Sequence, residues 1–329
     1  MLVPPLSPTA VQLRVPDFFI VGHFKSGTTS LYEMLKLHPQ LYMSDFKEPR
    51  FLAGDMRASY TYRRGPHYPE TFEEYLSLFA AAAPDQLIGE GSAGYLWSQT
   101  AAANIARLQP GARIIAILRE PAAFLRSFHF QLLQSHIESK TDLRKAMALE
   151  GARRRARRIP FRSHLPQLLQ YSEQVRYVEQ LRRYHAHFSP DQVLVLIYDD
   201  FAQDNQATVR RVLRFLAVDD EYPVTKVEVK VTQRYVRSQL FDDLAYWVPR
   251  GQGSAPSRAV KSTIKAFTWR GLRHSTVRML GRRVVHGELP PPDERLMTEL
   301  RRRFAPEVVA LSEYLGRDLV SLWGYDSLA

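Results

Sequence analysis

The chain has 329 residues, 45% of them apolar and 24% charged, and no cysteine. That length suffices for one large α/β domain. The missing thiols exclude a disulfide framework, a cysteine-ligated zinc site, an iron–sulfur cluster and a thiol nucleophile, and they fit a reducing compartment such as the cytoplasm. A net charge of +11 points to an anionic partner: nucleic acid, a phosphate-bearing cofactor, a sulfated or phosphorylated substrate, or a lipid surface.

Residues 1–14, broken by Pro4, Pro5 and Pro8, read as a tail without the basic start of a signal peptide, and no apolar run approaches the ~18 residues that span a bilayer. Residues 18–21 form a short apolar run ending in Gly22. After Ser26-Gly27-Thr28-Thr29, the residues Leu31, Met34, Leu35 and His38 recur at helical spacing, so the order is strand, tight loop, helix. Residues 87–90 are a weaker strand candidate. Residues 113–118 are a buried-type strand, followed by Pro121 and a helix over 122–136. Tyr171, Val175, Val178 and Leu181 mark a helix before a third strand at 193–198. Asp199-Asp200 follow, then a helical run through Val209, Val212, Leu213 and Leu216. Residues 250–287 hold nine Arg or Lys and no acid, with Val260, Ile264 and Phe267 on one helical face, as in a lid or a surface-lying amphipathic helix. A helix over 293–318 closes the chain, with a break expected at Pro306. Apolar strands alternating with amphipathic helices predict a single α/β domain over 15–324, with a central, mostly parallel sheet flanked by helices.

The segment Gly22-His23-Phe24-Lys25-Ser26-Gly27-Thr28-Thr29-Ser30-Leu31 carries the most chemistry. A small-residue loop entering a helix presents backbone N–H groups and the helix dipole to an anion. Against the nucleotide P-loop G-x-x-x-x-G-K-[ST], Gly22, Gly27 and Thr29 match. Thr28 takes the place of the phosphate-gripping lysine, and Lys25 stands three residues earlier. The bland alternative is a turn in which Ser26 or Thr28 caps the helix.

Lys25 to Leu31 resembles the K-[ST]-G-T-[ST]-x-L loop of sulfotransferases that use 3′-phosphoadenosine 5′-phosphosulfate (PAPS). In that family a strand-end arginine and a serine eight residues on hold the 3′-phosphate, which here implies Arg119 and Ser127. Lys47-Glu48-Pro49-Arg50-Phe51-Leu52 is similar to a segment of the bacterial and heparan-sulfate-type branches whose glutamate is the general base. His129 and His136 are the rival bases. There are departures: where the family reads E-K-[ST]-P-x-Y, this chain has Gly91 for the lysine and Ala93 for the proline, and only Gly281-Arg282-Arg283 stands for a late basic loop.

The resemblance implies a P-loop-like three-layer fold and PAPS as cofactor, cradled by Lys25, Ser26, Gly27, Thr28, Thr29 and Ser30 together with Arg119 and Ser127. It implies in-line sulfuryl transfer to a hydroxyl or amine of a small-molecule, glycan or lipid-linked acceptor, with Glu48 as base and Lys25 stabilising the leaving phosphate. No metal is required if Lys25 does the work of a divalent ion. Two alternatives stay open. A P-loop-like kinase would use Asp199-Asp200 to hold Mg²⁺. A nucleic-acid-binding protein would use the arginine run 153–158, which lacks interleaved aromatic residues.

Overall fold

The computed structural model describes residues 14–57, 68–223, 234–236, 286–288 and 290–328. Five strands, β1 (Phe18–Gly22), β2 (Leu41–Met43), β3 (Leu87–Gly91), β4 (Arg113–Leu118) and β5 (Val193–Ile197), form one sheet in the order β2-β3-β1-β4-β5. Every pairing is parallel. A parallel sheet needs a crossover between neighbours and has both faces covered, and the alternation of side chains in β1 shows how. Phe18 and Ile20 face one layer with Leu31, Leu35, Val212 and Leu213. Phe19 and Val21 face the other, with Ile105, Phe124, Tyr177 and Val308. One layer therefore holds the helices Thr28–Leu35 and Asn205–Leu216. The opposite layer holds Ala101–Leu108, Pro121–Gln134, Tyr177–His185 and Glu294–Leu315. The three-layer expectation holds.

Several elements differ from the sequence expectation. β2 was not anticipated, because its three residues are too short to show a period of two. The predicted helix through Tyr171 and Leu181 is two helices, Tyr171–Gln174 and Tyr177–His185. The expected break at Pro306 is absent: Glu294–Leu315 runs through it as one helix. A mid-helix proline forfeits one backbone hydrogen bond at a cost of about 3 kcal/mol. Met297, Leu300, Phe304, Val308 and Leu311 are buried on both sides of it, and their burial outweighs that cost.

The basic segment 250–287 lies outside the described residues except for His286 and Gly287. These belong to β7 (His286–Glu288), which pairs antiparallel with β6 (Arg234–Val236). The lid and membrane-surface readings of that segment, and Gly281-Arg282-Arg283, fall outside the described residues as well. No helix among the described residues is long and apolar enough to cross a membrane.

Candidate active site

The loops leaving the carboxyl ends of β1, β3 and β4 meet at one edge of the sheet, the edge where open parallel α/β sheets bind ligands. After β1 the chain turns through Lys25, at φ 55°, and Gly27, at φ 87°. Gly27 is the N-cap of the helix Thr28–Leu35, and no side chain caps that helix. Neither Ser26 nor Thr28 caps it: the Ser26 hydroxyl donates to the Phe24 carbonyl at 3.2 Å. The left-handed φ favours glycine, and a Cβ there would meet the Phe201 and Tyr198 rings at 3.0–3.3 Å. The first-turn amides of Thr28, Thr29 and Ser30 are thus left to an anion.

Arg119 leaves β4 and returns to this loop, its guanidinium donating to the Lys25 carbonyl at 2.9 Å. The guanidinium lies 4.5 Å over the Tyr198 ring, and the Tyr177 hydroxyl donates to the Arg119 carbonyl at 3.0 Å. Glu120 then caps the helix Pro121–Gln134, accepting from the amides of Ala122 and Ala123 at 2.9 and 2.6 Å. Half-buried Ser127 sits on that helix beside Arg126. Burial and the nearby Arg119 charge lower the pKa of Arg126. Burial, then Arg119, also lower that of Lys25, with Glu48 opposing them. Among the described residues Lys25, Arg119 and Arg126 form no ion pair.

The other half of the site is residues 47–50. Glu48 and Arg50 both adopt left-handed backbone conformations, at φ 58° and 53°. Two bonds hold them to the end of β3. The Glu48 amide donates to the Gly91 carbonyl at 3.1 Å, and the Arg50 amide donates to the Ser92 hydroxyl at 3.1 Å. The Arg50 guanidinium forks onto the Glu48 carboxylate, with Nε at 3.1 Å from Oε2. The Lys47 ammonium bridges the two halves, 3.0 Å from the Thr29 hydroxyl and 3.3 Å from Glu48 Oε1. Burial alone would raise the Glu48 carboxyl, but Arg50 and Lys47 prevail and hold it at about 2.

Behind this turn, Glu90 of β3 is buried. Its Oε2 accepts from the Tyr75 hydroxyl at 2.8 Å and the Tyr95 hydroxyl at 2.9 Å. Tyr95 in turn accepts from the Leu52 amide at 3.1 Å, which fixes the chain just past Arg50. Burial pushes the Glu90 carboxyl up to about 7, and the Glu48 charge adds to the rise. Gly91 has no room for a side chain, since a Cβ would come within 2.6 Å of the Tyr32 ring.

The structure thus brings Lys25, Ser26, Gly27, Thr28, Thr29, Ser30, Arg119 and Glu48 to one edge, with Ser127 on the helix that follows Arg119. The two histidines considered as rival bases lie elsewhere. His129 is buried, with Nδ1 2.8 Å from the Tyr171 hydroxyl and Nε2 3.1 Å from the Thr141 carbonyl. His136 lies past the far end of Pro121–Gln134, about 20 Å along the axis from its start. Asp199-Asp200 serve the C-terminal segment instead: Asp200 takes both Arg317 nitrogens at 2.5 and 2.7 Å, and Asp199 accepts from the Trp323 indole at 2.9 Å. Arg153, the first of the arginine run, is not solvated but buried against Glu138 at 2.7 Å. Sequence reasoning missed the roles of Lys47, Arg50, Arg126 and Tyr198. The first two stood inside the quoted motif and Arg126 beside Ser127, whereas nothing in the sequence pairs Tyr198 with Arg119.

An uncapped helix start, cations without ion pairs among the described residues and a paired carboxylate form a P-loop-like anion-binding site at the carboxyl edge of a parallel sheet. A sequence model of the sulfotransferase family matches residues 16–222, and the chain belongs to that family. Mouse carbohydrate sulfotransferase 15 is 27% identical over 248 residues, 61% of this chain and 44% of that one. Mouse bifunctional heparan sulfate N-deacetylase/N-sulfotransferase 4 is 27% identical over 216 residues, 64% of this chain and 23% of that one. The chain spans less than half the length of these curated relatives. A sulfotransferase from Alicyclobacillus acidocaldarius superposes with a TM-score of 0.65 over 94% of this chain and 98% of that one, at 23% identity, and shows the same fold. The residues present fit a donor that carries phosphate groups: an uncapped helix start, a glycine whose Cβ would strike its neighbours, and three cations without acidic partners among the described residues.

Proposed function

We propose that the chain transfers a sulfuryl group from PAPS to a hydroxyl of a small-molecule or glycan acceptor, with Glu48 as the base and Lys25 as the charge-compensating cation. The observation that carries this reading is that the β1 loop is tied to Arg119 and Glu48 at once: Arg119 donates to the Lys25 carbonyl at 2.9 Å, and Lys47 bridges Thr29 to Glu48 at 3.0 and 3.3 Å. PAPS supplies a sulfuryl group whose departure leaves negative charge on a phosphate. Sulfuryl transfer is close to phosphoryl transfer, with a loose transition state in which positioning and charge compensation do most of the work. Lys25 and the amides of Gly27 to Ser30 stabilise anionic charge at the helix start. Arg119, stacked on Tyr198, with Ser127 nearby, binds the 3′-phosphate. Glu48 is ionised at every working pH and receives the acceptor proton. The glycan option is supported by the names of the relatives above.

Thermal shift tests the donor side: adenosine 3′,5′-bisphosphate is expected to raise the melting temperature more than ADP, and equal shifts overturn the 3′-phosphate assignment. Incubation with sulfur-35-labelled PAPS and a panel of glycans tests transfer, with label expected on the acceptor and lost in Glu48→Gln.

A further inference from the structure

The proton-accepting half of the site holds a contradiction. A general base works best with a pKa near the operating pH, yet Glu48 is pinned by cations. Arg50 and Lys47 grip its two oxygens, and Lys25 from the β1 loop adds to their field, with burial and the Glu90 charge of β3 acting the other way. The grip is built into the backbone. Two left-handed non-glycine residues flank Pro49, and Gly91 and Ser92 hold the turn at both ends. Backbone strain of this kind gathers at functional sites. A guanidinium fork is also the group best matched to a carboxylate or sulfate. The Glu48 and Arg50 side chains keep 23% and 16% of their surface accessible, so a ligand can reach the pair.

We propose that Arg50 selects the acceptor: it exchanges the Glu48 carboxylate for a carboxylate or sulfate of the acceptor lying beside the reacting hydroxyl. This rests on the reading of Glu48 as base. The exchange frees Glu48 Oε2 as the hydroxyl arrives, so an anionic acceptor switches on its own base. Glu48 then takes the hydroxyl proton and the hydroxyl oxygen bonds to sulfur. The bond from sulfur to the phosphate oxygen breaks, and its electron pair stays on that oxygen. A neutral acceptor leaves Arg50 on Glu48 and meets a weak base.

The test uses two acceptors that differ in one carboxylate, 4-nitrophenyl β-D-glucuronide and 4-nitrophenyl β-D-glucoside. Calorimetry on the full chain saturated with adenosine 3′,5′-bisphosphate reads binding without chemistry. The wild type is expected to bind the glucuronide at least 10-fold more tightly. Arg50→Gln is expected to bind both within about 2-fold, and Arg50→Lys, which keeps the charge but loses the fork, to fall between. With PAPS, the acid limb of the glucoside kcat/KM profile is expected to move up into the ordinary carboxylate range in Arg50→Gln, a change that simple loosening of the turn does not produce. No preference in the wild type, whether through equal binding or none, overturns the proposal, as does a full preference retained in a folded Arg50→Gln. Failure of the wild type to bind the bisphosphate counts against the sulfotransferase reading itself, which keeps the two failures apart.

Discussion

At the ends of β1 and β4, Lys25, Arg119 and Arg126 stand with no ion-pair partner among the described residues, each held by burial, a carbonyl or a ring. At the end of β3, Lys47, Glu48 and Arg50 are locked onto one another. The first region suits an anion that arrives with fixed charge. Its cations are already partly desolvated, and their mutual repulsion is relieved when phosphate binds. In the proposed reaction the second region handles a proton, and it contains a carboxylate whose basicity neighbouring cations set. Charge is stored unpaired where binding is wanted and paired where reactivity must be controlled.

The largest effect is expected on the paired side. Glu48→Gln keeps the shape and removes the proton acceptor, and kcat is expected to fall ~10²–10⁴-fold while calorimetry shows bisphosphate affinity nearly unchanged. A parallel loss of affinity would merge the two regions into one. Next comes Lys25→Ala. By analogy with preorganised oxyanion donors, the expected loss in kcat is ~10²–10³-fold, with the melting temperature preserved; a variant keeping a tenth of wild-type kcat breaks the assignment. Arg119→Ala is expected to lose ~1.5–3 kcal/mol of binding, visible by calorimetry only with ligands that carry a 3′-phosphate.

The remaining effect is on stability rather than on the reaction, and it concerns Glu90. Unfolded, this carboxyl releases its proton near 4.5; folded, burial keeps the proton on until about 7. The folded state therefore binds more protons between those values. The contribution of Glu90 to stability is complete below pH 4.5 and is lost as pH rises to 7, by about 3 kcal/mol. Glu90→Gln is expected to flatten this part of the profile. Urea denaturation at pH 5 and pH 8 measures it, and an unchanged slope would mean that Glu90 ionises normally in its tyrosine cage.

The donor half was legible in the sequence because its signals are local. Lys25 to Ser30 form one turn, and Arg119 and Ser127 sit at fixed spacing on one strand–helix unit. Glu48 was legible from its motif, but its state was not, since that depends on left-handed conformations at Glu48 and Arg50 and on Gly91 and Ser92 more than 40 residues away. A still longer separation in sequence hid Tyr198 beneath Arg119. β2 escaped because three residues show no period. The expected break at Pro306 failed because local propensity was set against a long buried stripe, and packing won. Arg153 looked like its solvated neighbours until Glu138 supplied a buried partner.

The Tyr325 hydroxyl donates to Glu120 at 2.5 Å across 205 positions of sequence, and Glu120 caps the helix that carries Arg126 and Ser127. The helix that carries Ser127 is therefore fastened by a residue made 205 positions after its cap. At ~5–20 residues per second of synthesis, roughly 10 to 40 s separate the emergence of these two partners. All five strands of the parallel sheet emerge before this fastening can form, so Tyr325→Phe is expected to loosen the helix that carries Arg126 and Ser127 while the sheet stays paired.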